Sequence, residues 1–400
     1  MKKLVVSAFL VLMTTTFAFV SVAAIAGAQV IAPAPKKVVV AIDVFHSAAS
    51  PDVDQIIGNV TLREPRIQFK KLTTTNDFTA SALGDVTMLM LGNNNGKFNL
   101  TDEELSGIIS WFNTGEKTIW VASDSDYPPA SAKCQIEDNK LLEALNSKLR
   151  VDYCALEDKV FNGGGGYRVF ASVFNVDPAV QMITLGLTRV LFHGPGPVAG
   201  FVNGKMVPLE TTTVPNVYWV AKTSLNGSVV ENDASILAEV HQAGATGQFV
   251  LMAVEVKAGP AGNGKIILSG ETPYDGYAAG WVSSYKLAEA PPPMNPLNGP
   301  AYVMNTIMWG VHDAIMALPP EQVTTTATQL STVVQTQTKT QTQLSTVVQT
   351  QVSTVLKTQT ETSTAVSTVT VSEVPMYAYG IMGILIVIIL AMAGLYARKK

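Results

Sequence analysis

Four groups of polar residues fall where apolar, strand-like runs end. They are Asp43 and His46 after Val38 to Phe45, Asn93 to Asn95 after Val86 to Leu91, Asp124 and Asp126 after Thr118 to Ala122, and Glu271 and Asp275 after Lys265 to Ser269. Open α/β sheets place their ligands at the carboxyl ends of strands. Oxygen-rich groups converging there would hold Ca2+ or another hard cation, and the imidazole of His46 would admit Zn2+. The same residue types are ordinary turn formers and helix caps at such positions, and that reading stands beside the ligand site. A serine nucleophile at Ser123 or Ser125 would need a sharp elbow with flanking glycines, which the run from Ala122 to Asp126 does not have.

The elements that must position these groups are read from periodicity. Short apolar runs alternate with helical patterns between Pro33 and Leu318, which predicts an α/β body with a mainly parallel sheet flanked by helices. The clearest helix has Leu105, Ile108, Ile109 and Phe112 on one face, a capping box at Thr101 and Glu104, and Gly115 just past its end. A second helical pattern runs from Asn139 to Leu149. Gly163 to Gly166 reads as a loop before a strand at Arg168 to Val173, with no Lys-Ser or Lys-Thr to make a phosphate cradle. Val217 to Ala221 and Phe249 to Val256 read as an antiparallel strand pair, within a β-rich stretch from 178 to 262 that reads as an insertion or a separate domain. Val303, Ile307, Val311, Ala314, Ile315 and Leu318 mark a closing helix, with Trp309 and His312 on its flanks. His193-Gly-Pro-Gly-Pro197 defines a rigid loop at the edge of the same cleft.

The segment LGNNNGKFNLTDEELSGIISWFNTGEKTIWVASDSDY (Leu91 to Tyr127) and the later GKIILSGETPYDGY (Gly264 to Tyr277), followed by a terminal helix, resemble the class I glutamine-amidotransferase-like, flavodoxin-type fold. The likeness covers most of the body and is nearest to the non-catalytic branch found in accessory domains of membrane transport and surface proteins. An active amidotransferase carries Gly-x-Cys-x-Gly at the strand end occupied here by Ser123 to Asp126, and a late His-x-Glu. None of His46, His193, His241 and His312 has Glu two residues on. The resemblance therefore implies the fold without the amidotransferase reaction, so no catalytic residue is assigned.

The two ends of the chain imply a compartment. Of 400 residues 47% are hydrophobic and only 14% charged, and the excess apolarity lies at the termini. Lys2 and Lys3, an apolar run from Leu4 to Ala24, and small residues at Ala26 to Ala28 read as a signal peptide, 1–28, or alternatively as an uncleaved anchor. An uncharged apolar stretch, 376–397, is long enough to span a bilayer as one transmembrane helix, and the basic tail 398–400 prefers the cytoplasmic side. The expected protein is single-pass type I, with an extracellular body over 29–320.

Between body and span, 321–375 is a stalk of Thr, Ser, Gln and Val, in which TQLSTVVQTQ at Thr328 recurs at Thr342. That period of fourteen fits either a two-heptad coiled coil, and hence a homo-oligomer, or an extended chain. Cys134 and Cys154, the only cysteines, are expected to form one disulfide, with a catalytic thiol as the alternative. Asn59, Asn99 and Asn226 head N-glycosylation sequons. The layout of signal, body, stalk, span and basic stop is similar to that of archaeal cell-surface proteins.

The net charge of −4 offers no basic surplus for a nucleic-acid partner. The leading expectation is a membrane-anchored surface glycoprotein whose body binds a partner, glycan or solute without catalysis, as an accessory to envelope or transporter proteins. The alternatives are a tethered metal-dependent hydrolase using His46, Asp124 and Asp126, and the solute-binding component of an importer.

Overall fold

Val38–Asp43 (β1) reads Val-Val-Val-Ala-Ile-Asp and is buried along its whole length, which a strand achieves only with helices on both sides of its sheet. The computed structural model describes residues 37–46, 51–92, 99–128, 130–273 and 297–319. Strands Ile67–Leu72 (β2), Val86–Gly92 (β3) and Thr118–Ala122 (β4) follow, with helices Pro51–Arg63 (α1) and Asp102–Phe112 (α2) between them. Helix Lys133–Ala144 (α3) leads into short strands Leu149–Val151 (β5), Ala155–Asp158 (β6), Arg168–Ala171 (β7) and Val173–Phe174 (β8). A four-residue helix, Gln181–Thr184 (α4), precedes Val190–His193 (β9), Val198–Val202 (β10), Lys205–Pro208 (β11), Val217–Lys222 (β12), Gly227–Val230 (β13) and Thr246–Gly247 (β14). Val250–Ala258 (β15), Gly264–Ser269 (β16) and helix Gly299–Met316 (α5) complete the described elements.

The central sheet has eight strands in the order β2-β1-β3-β4-β16-β15-β12-β8. The first five are mutually parallel, and the last three join antiparallel to their neighbours. Side-chain alternation splits the core between two faces. Val40, Ile42, Met88, Met90 and Trp120 pack with Val53 and Ile56 of α1 and Val303 and Ile307 of α5. Ala41, Leu89, Leu91, Ile119 and Val121 pack with Ile108, Trp111 and Phe112 of α2. This is a mixed α/β fold with a large, mainly parallel sheet between helical layers.

Several boundaries differ from the sequence reading for local reasons. The helix expected from Asn139 to Leu149 begins six residues earlier and ends at Ala144. Asn146 turns the chain at a positive φ of 53°, and Leu149 enters β5, which pairs with β10. Trp309, expected on a flank, is buried, with its indole Nε1 donating to the Ala179 carbonyl at 2.8 Å. Helix α1 carries Val53, Ile56 and Val60 on its inner face, a helix that the periodicity reading does not mark. The β-rich middle is not wholly separate from the sheet: β12 and β15 lie in the central sheet, while β10-β11-β5, β14-β13-β6 and β7-β9 form small sheets beside it.

The α2 capping box is formed as expected. Thr101 Oγ1 accepts the Glu104 amide at 3.2 Å, and Glu104 Oε2 accepts the Thr101 amide at 2.8 Å. Thr101→Ala is expected to lower unfolding stability by about 1 kcal/mol. Urea denaturation checks this, and an unchanged midpoint would show that the cap adds nothing.

Among the described residues no helix is long and apolar enough to cross a membrane. The expected signal (1–28), stalk (321–375), span (376–397) and tail (398–400) lie outside the described residues, as do Asn93 to Asn95 and Asp275.

Candidate functional site

The parallel strand order reverses at β1 and β3, with β2 outside β1 and β4 outside β3. At such a reversal the two following crossovers leave on opposite faces and open a crevice at the carboxyl ends. Asp43 and His46 stand there. Asp43 is fully buried; its Oδ1 accepts the amides of Phe45 and His46 at 2.9 and 3.0 Å, and its Oδ2 meets His46 Nδ1 at 3.1 Å. The other ring nitrogen, Nε2, lies 3.5 Å from Glu104 Oε1. Glu104 reaches this place because it is the third residue of α2, where its second oxygen closes the capping box. The His46 ring stands edge-on to Phe45 and to Phe78, and Phe45 is 46% exposed.

Burial by itself would lower the His46 pKa, but the hydrogen bond and charge of Asp43 and the charge of Glu104 outweigh it and raise the pKa above the ordinary value. The site is therefore a chain in which the His46 imidazole lies between the carboxyl groups of Asp43 and Glu104.

The remaining candidates do not join it. Strand β3 lies between β1 and β4, so Asp124 and Asp126, in the chain that follows β4, do not leave from the strand beside β1. Asp126 is fully buried and holds a different loop: Oδ2 accepts the amides of Asn232 and Asp233 at 2.6 and 2.9 Å, and Oδ1 accepts Asn232 Nδ2 at 2.9 Å. Asp124 Oδ1 accepts the Ser125 amide at 2.7 Å, as a turn former does. Glu271 is buried beyond β16, and its main-chain oxygen accepts Ser269 Oγ at 2.8 Å. Among the described residues no group of three or more His, Cys, Asp or Glu is placed to hold a metal ion. Of the residues expected at one Ca2+ or Zn2+ site, Asp43 and His46 are joined to each other, while Asp126 holds the loop at Asn232 and Asp233.

Over the ends of β4 and β16 lies the Gly-Pro loop. The Gly196 amide donates to the Gly270 carbonyl at 2.9 Å, while the Pro195 and Pro197 carbonyls accept the amides of Leu156 and Asp152 at 2.8 and 3.0 Å. A Cβ at Gly196 would lie 2.8 Å from the Asp124 carbonyl oxygen, and one at Gly270 would collide with the Gly196 carbonyl oxygen. Three main chains touch here with no side chain between them, and the close approach requires glycine. The strand end at which the resemblance places a nucleophile is filled by the protein's own backbone.

A second histidine lies between two carboxylates. His241 Nδ1 meets Asp152 Oδ2 at 3.0 Å, and Nε2 meets Glu210 Oε2 at 3.3 Å. Burial would lower its pKa, but the hydrogen bonds from Asp152 and Glu210 and their charges raise it to about 9. Nothing in the sequence marks His241, because its partners lie 89 and 31 residues away.

Cys134 on α3 and Cys154 after β5 are both buried, and their sulfurs are not bonded to each other. The segments that carry them are tied together, since Gln135 Nε2 donates to the carbonyls of Asp152 and Cys154 at 2.7 and 2.8 Å. Burial, followed by the charges of Asp152, Asp126 and Glu231, pushes the Cys154 thiol pKa up, which removes the thiolate that a catalytic cysteine needs. Asn59 lies exposed on α1, Asn99 exposed just before the α2 cap, and Asn226 exposed in the turn before β13.

No family model matches this chain, and no curated protein matches it. Solved structures with a similar overall trace include the mmIFT52 N-terminal domain, at 11% identity and a TM-score of 0.42, covering 68% of this chain and 96% of that one. A ThuA-like protein from Bacteroides uniformis matches at 8% identity and a TM-score of 0.38, covering 71% and 96%. A GMP synthase protein from Thermoplasma acidophilum matches at 11% identity and a TM-score of 0.31, covering 70% and 97%. At these scores the likenesses carry no argument about this chain, and its fold rests on its own strand order.

Proposed function

We propose that this is a membrane-anchored, extracellular cell-surface protein whose stalked α/β body, a non-catalytic relative of the amidotransferase-like domains, binds a partner, glycan or solute. The observation that carries this reading is the Gly194 to Pro197 loop packed on Gly270 and Asp124, at the strand end where an acyl-transfer enzyme needs an open elbow and an oxyanion pocket. The crevice at β1 and β3, with exposed Phe45 beside His46, is the place for a ligand. The hydrolase alternative has less support, because Asp126 and His46 belong to separate networks. The importer alternative needs two lobes about a hinge, whereas one eight-stranded sheet runs through the body. In an exported chain the Cys134–Cys154 disulfide belongs to the same proposal.

Two measurements test it. Intact cells expressing the full chain are treated with a membrane-impermeant amine reagent. Labelling of the exposed Lys133 and Lys159 before lysis is expected, and labelling only after lysis would remove the extracellular assignment. The purified protein is then incubated with glutamine and with simple ester substrates. No turnover above buffer is expected, and turnover abolished by Ser125→Ala would return the enzyme reading.

A further inference from the structure

Residues 231–245, between β13 and β14, contain no helix or strand and are mostly exposed or half-buried. They are held at two places by carboxylates from outside the segment. At the near end Asp126 accepts the amides of Asn232 and Asp233, and Asp233 in turn accepts the Ala132 amide at 3.3 Å. At the far end Asp152 accepts three successive amides, Glu239 at 2.7 Å, Val240 at 3.0 Å and His241 at 2.8 Å, together with the His241 ring. Glu210 closes the other side of that ring, and its Oε1 accepts the amide of Val250 at the start of β15 at 2.7 Å.

We propose that residues 231–245 form an acid-released strap, whose His241 end unfastens from Asp152 and Glu210 while the central sheet remains folded. The segment has no regular structure of its own, and apart from the clasps its last residues are joined to β13, where the Gly244 amide donates to the Val229 carbonyl and the Val229 amide to the Ala245 carbonyl, both at 2.9 Å; irregular segments of this kind open below the global unfolding free energy. Ionised, those carboxylates are acceptors at both oxygens; protonation turns one oxygen into a donor, removes the charge that strengthens the bonds and so weakens the clasp.

The sign follows from the groups. Burial would raise the Asp152 pKa, but the His241 bond and the amides of Glu239, His241 and Val240 lower it; Glu210 is lowered chiefly by its bond to His241, against burial. The fastening is therefore complete above the ordinary carboxylate range and is lost as the pH falls through the depressed values. On the alkaline side, deprotonation of His241 near pH 9 removes one ring contact and leaves the three amide bonds to Asp152 in place.

The other groups around the clasp are fixed. The charge of Glu210 acts on Lys222 of β12, and that of Glu239 on Arg150. Cys154 Sγ lies 3.7 Å from the His241 carbonyl oxygen, and the Phe249 ring stands edge-on to the imidazole. Asp126 and Glu231 act on Cys154 rather than on the ring.

Hydrogen exchange on the full-length protein in detergent, corrected for the intrinsic rate at each pH, tests the strap between pH 8 and pH 3. The amides of 239–241 are expected to lose protection by about tenfold or more at a pH where β15 and β16 remain protected. Asp152→Asn is expected to produce the same local loss at neutral pH. Loss at 239–241 only together with β15, or retention to the lowest pH, would overturn the proposal. Should Asp152→Asn fail to fold, the wild-type titration decides alone.

Discussion

Gly270→Ala is expected to lower the melting temperature by about 6–12 °C, corresponding to about 3 kcal/mol. Gly270 follows the last residue of β16, and its amide donates to the Leu251 carbonyl at 2.8 Å, which ties it to β15. The new methyl group would enter the volume of the Gly196 carbonyl oxygen, while Gly196 is itself held against Asp124. No flexible side chain can move aside, so the Gly-Pro loop must lift and give up its bonds to Leu156, Asp152 and Gly270. Differential scanning calorimetry of the variant and the wild type measures the effect. A shift below about 2 °C would mean that the loop is not packed on the strand end, and the argument for a filled cleft would go with it.

Removing the Asp43 carboxylate should be about as costly. Asp43→Ala leaves a buried imidazole with one of its two acidic partners and removes the acceptor of the buried His46 amide and of the part-buried Phe45 amide, which predicts a loss of about 3–5 kcal/mol in urea denaturation. The loss should depend on pH. Because the folded-state pKa of His46 is raised above 6.5, its charged contacts stabilise fully below the unfolded value and fade as the pH rises through the folded value. The difference between wild type and Asp43→Ala is therefore expected to be larger at pH 6 than at pH 9. Taking that difference cancels the alkaline titration of His241, which both proteins share. Equal losses at the two pH values would show that His46 is not held as a cation.

What was legible in the sequence were features written in near neighbours. β2 spans the residues that its apolar pattern marks, and the capping box of α2 shows in the spacing of Thr101 and Glu104. Asp43 and His46 were legible as a pair because the turn beyond β1 puts them three residues apart. Glu104 was legible only as a cap: its second oxygen meets His46 because α2 begins against the end of β1, a contact between residues 58 positions apart in the chain. The strand-end carboxylates looked alike along the chain, but a strand lies between Asp43 and Asp126, and Asp126 holds a loop 106 residues downstream.

Local periodicity, capping and turn chemistry thus determined the α/β class, the parallel strands and the absence of a nucleophile elbow, since each depends on side chains a few residues apart. Tertiary structure alone decided that Glu104 meets His46, that Asp152 and Glu210 meet His241, and that Gly194 to Pro197 covers the ends of β4 and β16. The physical reason is that strand order is set by long crossovers, such as the one from β4 to β16, whose end-to-end pairing no spacing along the chain encodes.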